Sequence, residues 1–236
     1  MTAATPDTAL AQGEGQGEGT PLTGSPRHVV IAALFVVALA IAPYLNSLGN
    51  GFAFDDPDVV RDNPMVVENP PAALLTSVYY PGAIYRPLTF LTYMANQRVD
   101  AGPLGFHLVN VVLHALVTLA VFLFARRLLD ALLAATVAAA LFAVHPVHTE
   151  AVSNVVGRAE LLAALLVLVA LLAEMRAGDR GPEGPRYWHA LALVAFAGSV
   201  LAKESAFTAI GLVAIVVWWS DPARSIARTA RRVAPF

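Results

Sequence analysis

The stretch "LFAVHPVHTEAVSNVVGRAELL", residues 141–162, holds two histidines, two glutamates and an arginine between two apolar runs. Pro146 stops a helix after His145, because proline has no N–H to donate and its ring clashes with the preceding turn. Gly157 marks a turn, and Glu160 stands where a restarting helix presents its positive end. The stretch therefore reads as a polar connection between two apolar helices. The same alternation of apolar run and polar gap recurs along the chain.

Composition agrees. Of 236 residues, 57% are hydrophobic and 14% charged, and mean hydropathy is +0.63. A soluble domain needs more charge to cover its surface. A net charge of −2 leaves no basic footprint for nucleic acid. Without cysteine there is no disulfide framework, thiolate metal site or thiol nucleophile. Residues 1–26 are rich in Gly, Pro, Thr, Gln and Glu and read as a disordered cytoplasmic tail.

Six charge-poor runs follow, at residues 29–45, 106–125, 131–144, 161–173, 188–202 and 206–219. The first is also open to reading as a signal peptide, with Ala38, Ala40 and Ala42 as the small residues of a cleavage site. Several runs fall short of the ~20 residues of a simple span, a length tolerable around a wet cavity where the bilayer thins. The fold expected is an all-α polytopic membrane bundle of about six transmembrane helices. Residues 27–220 form the membrane domain, with a long outer loop at 49–105, and residues 221–236 a basic tail or junction. The last two runs must be separated near "AKES", residues 202–205, although no Gly or Pro marks a break there.

With a cytoplasmic N-terminus, ten of the fifteen lysines and arginines fall inside, as the positive-inside rule requires. The unusual polar residues then collect on the other side, facing periplasm, exterior or endoplasmic-reticulum lumen. Asp55 and Asp56 follow an aromatic–apolar pair in "GNGFAFDDPDVVRDNP". Neighbouring side chains point in different directions, so one carboxylate is placed to act as a base while the other orients a neighbour or a metal. Turn chemistry is the competing reading, since Asp before Pro is a common turn and cap residue. "YRPLTFLTYMANQRV", residues 85–99, reads as an amphipathic interfacial helix with Arg86 at its mouth. His107, Asn110 and His114 recur at i, i+3 and i+7 on one helical face, where interhelical hydrogen bonding competes with a cavity role. His145, His148 and Glu150 supply enough ligand types for a divalent metal, but their spacing matches no helical zinc motif. Arg158 reads as a snorkelling residue, and Lys203 and Glu204 can pair with each other or with Arg158 and Glu160 across the bundle.

Five blocks in order, "FAFDDPDVVRDNP", "YRPLTFLTYMAN", "GFHLVNVVLHAL", "LFAVHPVHTEAVSNVVGRAELLAAL" and "LAKESAFTAI", resemble the transmembrane and tetratricopeptide-repeat O-mannosyltransferases. The resemblance runs from about residue 52 to 210. It implies a membrane glycosyltransferase of the GT-C fold and a polyprenyl-phosphate sugar donor, typically mannose. It also implies transfer to Ser or Thr hydroxyls of an acceptor protein on the non-cytoplasmic side, with inversion at the anomeric carbon. Asp55 and Asp56 are then the catalytic pair. Charge and sidedness add Arg86, His107, His145, His148, Glu150, Arg158, Glu160, Lys203 and Glu204 as residues for the donor phosphate and substrates. No resident cofactor and no metal site is expected, the lipid-linked sugar being a substrate. The family also carries further spans and a repeat domain. No 34-residue helical repeat occurs here, so the chain is expected to be either an N-terminal fragment or a minimal catalytic half that needs a partner. A transporter or channel subunit, or a non-catalytic membrane scaffold, is the alternative.

Overall fold

The computed structural model describes residues 24–75, 85–179, 186–221 and 223–236. The expected N-terminal tail up to residue 23, part of the outer loop at 76–84 and Arg180 lie outside them. Among the described residues there are helices and turns and no strands.

Helix α1 (Pro26–Ile41) starts on a proline at its first turn and tightens into a 3₁₀ turn at Ala42–Gly49. A short π turn at Pro57–Arg61 and helix α2 (Pro64–Val67) follow, then α3 (Pro87–Val99). Helix α4 (Pro103–Leu129) is the longest, and α5 (Leu132–Val144) returns beside it after a left-handed Asp130. Short α6 (His148–Ser153) leads into α7 (Arg158–Asp179), and α8 (Tyr187–Ala202) packs along α7. Lys203 adopts extended backbone, a 3₁₀ turn covers Glu204–Ala209, and α9 (Ile210–Ser220) continues. Helix α10 (Ile226–Val233) closes the described chain.

Among the described residues, three helical segments are long and apolar enough to cross a membrane: Pro26–Gly49, Pro103–Leu129 and Val155–Asp179. Shorter apolar helices occupy Leu132–Val144, Tyr187–Ala202 and Glu204–Ser220. Each of the six apolar runs is thus helical, and the protein is an all-α membrane bundle. Leucines and valines such as Leu34, Leu108, Val137 and Val194 stay exposed on its flanks, as a lipid-facing surface demands.

Small residues set the closest approaches. Val36, Phe122, Ala135 and Ala139 pack α1, α4 and α5 together, and Ala40, Ala115 and Ala143 continue the seam. Lipid tails are as apolar as leucine, so contact between spans depends on close van der Waals fit, which alanine permits. At the end where α7 begins, a second core gathers Val59, Val60, Val66, Phe90, Tyr93, Met94, Phe106 and Val155. The segment between α1 and α3 is therefore folded onto the bundle. Helix α3 buries Phe90, Tyr93, Met94 and Asn96 in this core, so it is a wall of the structure more than a surface brace.

The C-terminal segment, expected as a basic tail, packs back on the bundle. Glu174, buried in α7, accepts from the Arg232 guanidinium and lies 2.8 Å from His189 Nδ1. Phe236 meets Phe196 and His189 edge-on. A buried carboxylate needs a charged partner, and α10 brings one.

Candidate active site

The turn at 154–158, centre of the deciding stretch, is gripped from three sides. From α4, Asn110 Nδ2 donates to the carbonyls of Asn154 at 2.9 Å and Val155 at 3.3 Å. From α3, the Tyr93 hydroxyl lies 3.3 Å from the Val155 and Val156 carbonyls. From the outer loop, Asp56 Oδ1 accepts from the Val156 N–H at 3.0 Å, shared with the Asn154 side chain at 3.1 Å. Asp56 is fully buried, and its Oδ2 accepts from the Ala53 N–H at 3.1 Å. Both its oxygens are engaged by backbone donors.

Arg158 completes the grip from below. It is the largest fully buried side chain, yet no carboxylate faces it among the described residues. Its guanidinium donates to Asn110 Oδ1 (3.0 Å), Asn96 Oδ1 (2.9 Å), the Phe106 carbonyl (3.1 Å) and the Thr92 carbonyl (3.3 Å). The Tyr93 and Phe106 rings lie 4.9 and 5.3 Å from its carbon centre. Neutral oxygens and ring faces replace water around the cation. Arg158 thereby locks α3 and α4 to the start of α7.

Above this locked turn lies a cavity of about 310 Å³. Asp55 enters it from the outer loop, Arg86 from the start of α3, Val147, Glu150 and Ala151 from α6, and Glu160 from the first turn of α7. Asn154, Val156 and Gly157 of the turn line it as well. Around it, Arg86 makes a two-pronged pair with Glu204 at 2.8 and 2.7 Å, and Lys203 pairs with Glu160. Thr89 Oγ1 donates to the Ala202 carbonyl at 2.9 Å, fixing α3 against the end of α8. Lys203, in extended backbone, and Glu204 each pair with a residue that lines the pocket, Glu160 and Arg86. Phe54, one residue before Asp55, has φ = 52° and is 90% exposed. A non-glycine in that left-handed region stores strain, which tends to gather at functional sites.

No family model and no solved structure matches the chain. Curated relatives do. The chain is 36% identical over 192 residues to the human Protein O-mannosyl-transferase TMTC3. It is 40% identical over 199 residues to Tmtc2 of Drosophila melanogaster and 35% over 212 residues to human TMTC4. These alignments cover 76%, 77% and 78% of the chain. By sequence, the chain belongs to the TMTC family. It spans 21%, 21% and 29% of the length of these relatives.

The TMTC chain thus brings Asp55, Arg86, Glu150 and Glu160 into one cavity, with Lys203 and Glu204 joined to it by ion pairs. Asp56 and Arg158 lie beneath as its buried supports. The histidines stand apart. His107 is buried, and its Nε2 donates to the Gly51 carbonyl at 3.4 Å. His145 follows the end of α5 and His148 opens α6, with ring centres 6.1 Å apart, beside Phe142 and the buried His114. Burial pushes the His148 imidazole below its usual value, helped by His114 and His145. Among the described residues, no group of three or more His, Asp or Glu is placed to hold a metal ion. The turn's own tethers, Asn96 and Asn154, carried no signal in the sequence beyond Asn154's place before a turn.

Proposed function

We propose that the acidic cavity of this TMTC chain is a protein O-mannosyltransferase site of GT-C type. It faces the non-cytoplasmic side and transfers mannose from a polyprenyl-phosphate donor to Ser or Thr hydroxyls of an acceptor protein. The relatives' names supply the reaction class. The observation that carries the reading is the division of labour between adjacent carboxylates: Asp56 is committed to two backbone N–H groups, while Asp55 lines the cavity.

In the proposed reaction Asp55 takes the proton of the acceptor hydroxyl as its oxygen bonds to the anomeric carbon. The bond from that carbon to the donor phosphate oxygen breaks on the opposite face, and polyprenyl phosphate leaves with the electron pair. A single displacement inverts the configuration. Arg86 lines the same cavity, and Lys203 is joined to it through Glu160. They are the cations available to the developing phosphate charge, and such preorganised groups act most strongly where water is excluded. The carboxylates of Glu204 and Glu160 hold them in place before donor arrives.

The test is transfer of radiolabel from polyprenyl-phosphate mannose to a Ser/Thr peptide in membranes containing the inserted chain. Label on hydroxyls supports the reading. Label absent from this chain, but present with a longer relative under the same conditions, contradicts a complete site in it.

A further inference from the structure

A second cavity lies at the opposite end of α7, ~24 Å from Glu160 at 1.5 Å per helical residue. It measures about 840 Å³ and opens between the C-terminal ends of α4, α7 and α9 and the start of α8. Its make-up is graded. Arg126 and Arg176 stand toward the helix ends, Trp188 and Trp219 flank them, and Leu123 and Leu172 lie about one turn further into the bundle. Arg127 at the same mouth is taken by Asp179. Among the described residues, Arg126 and Arg176 have no carboxylate within ion-pair distance, though Asp130 also lines the cleft. The Arg176 guanidinium lies 5.8 Å from the centre of the Trp188 ring.

These features specify an occupant. Two arginines offer bidentate donors that match phosphate oxygens. Tryptophans at this depth mark the headgroup level of a bilayer, and an apolar wall beneath the cations suits an acyl chain. We propose that this cleft binds an anionic phospholipid. Its phosphate sits at Arg126 and Arg176, and an acyl chain runs along Leu123 and Leu172. The proposal is independent of the acidic cavity and of the reaction assigned to it.

The test uses the purified chain in neutral detergent, with native mass spectrometry to count retained lipid and a melting curve to read stabilisation. Phosphatidylglycerol is expected to be retained and to raise the melting temperature, whereas phosphatidylcholine and inorganic phosphate do neither. The Arg126→Ala/Arg176→Ala double variant should weaken phosphatidylglycerol binding about 10-fold or more. Leu123→Trp, which fills the apolar wall and keeps both arginines, should weaken it as well. Arg231→Ala, an exposed charge on α10, should not. If the double variant fails to fold, Arg126→Gln and Leu123→Trp give the same reading singly. Equal retention of both lipids, unchanged binding in the cleft variants, or full stabilisation by inorganic phosphate alone would each overturn the proposal.

Discussion

Asp56 and Val156 are 100 positions apart in the chain, and the Asp56 carboxylate accepts the Val156 backbone N–H at 3.0 Å. That bond ties the outer loop to the turn that opens α7. It also takes Asp56 out of contention as a free base, because its other oxygen holds the Ala53 N–H. An amide offers one acceptor oxygen where the carboxylate offers two. Asp56→Asn should therefore turn an N–H donor toward a backbone donor and cost roughly 1–3 kcal/mol. Thermal unfolding of the variant in detergent checks this, and a melting temperature equal to wild type would speak against the tether.

Arg158→Met should cost more. It leaves Asn110, Asn96 and two backbone carbonyls without their donor in a buried site. Each orphaned acceptor carries a desolvation penalty of about 1–3 kcal/mol, offset in part by relaxation and by the loss of a buried charge. The expected readout is a fall in melting temperature larger than that of Asp56→Asn. Because Arg158 acts through the turn, the sharpest local sign is loosened proteolytic protection at residues 154–158.

Gly157 sets the shape of the cavity floor. A Cβ there would lie 2.4 Å from the Ala151 carbonyl oxygen, a backbone atom with no freedom to swing aside. Gly157→Ala should displace α6 from the turn and open the wall that carries Glu150. We expect lower stability and, in a transfer assay, loss of activity without any change in the carboxylates. A variant as stable and active as wild type would mean that the turn gives way freely.

Protonation of His148 opposes folding, because burial and the neighbouring His114 and His145 favour its neutral form. A group whose folded value is depressed contributes stability above its unfolded value, near pH 6.5, and loses it as pH falls through the lower folded value. The melting temperature should therefore decline as pH drops from about 7 to 5, and His148→Gln should flatten that decline. An unchanged slope in the variant would assign the acid sensitivity elsewhere.

The sequence makes some of this legible and hides the rest. The face shared by His107, Asn110 and His114 follows from helical period alone, and all three are buried. Pro146 ends α5 within a residue of where backbone chemistry requires. Arg158 is harder to read, because its partners are amides and carbonyls on α3 and α4, and no carboxylate pattern announces them. The two aspartates look equivalent on paper. The Ala53 and Val156 contacts separate them, and no local spacing encodes the second, a bond across 100 residues. Lys203 breaks the helix between α8 and α9 without Gly or Pro, with Thr89 of α3 capping the Ala202 carbonyl from outside the segment.

The most direct measurement compares Asp55→Asn with Asp56→Asn for both sugar transfer and thermal stability at equal membrane insertion. Asp55→Asn should keep the wild-type melting temperature and lose transfer by about 100-fold or more, as removal of a general base does. Asp56→Asn should lower the melting temperature and impair transfer only as far as the turn loosens. Transfer by Asp55→Asn at the wild-type rate would contradict the assignment of Asp55 as the base.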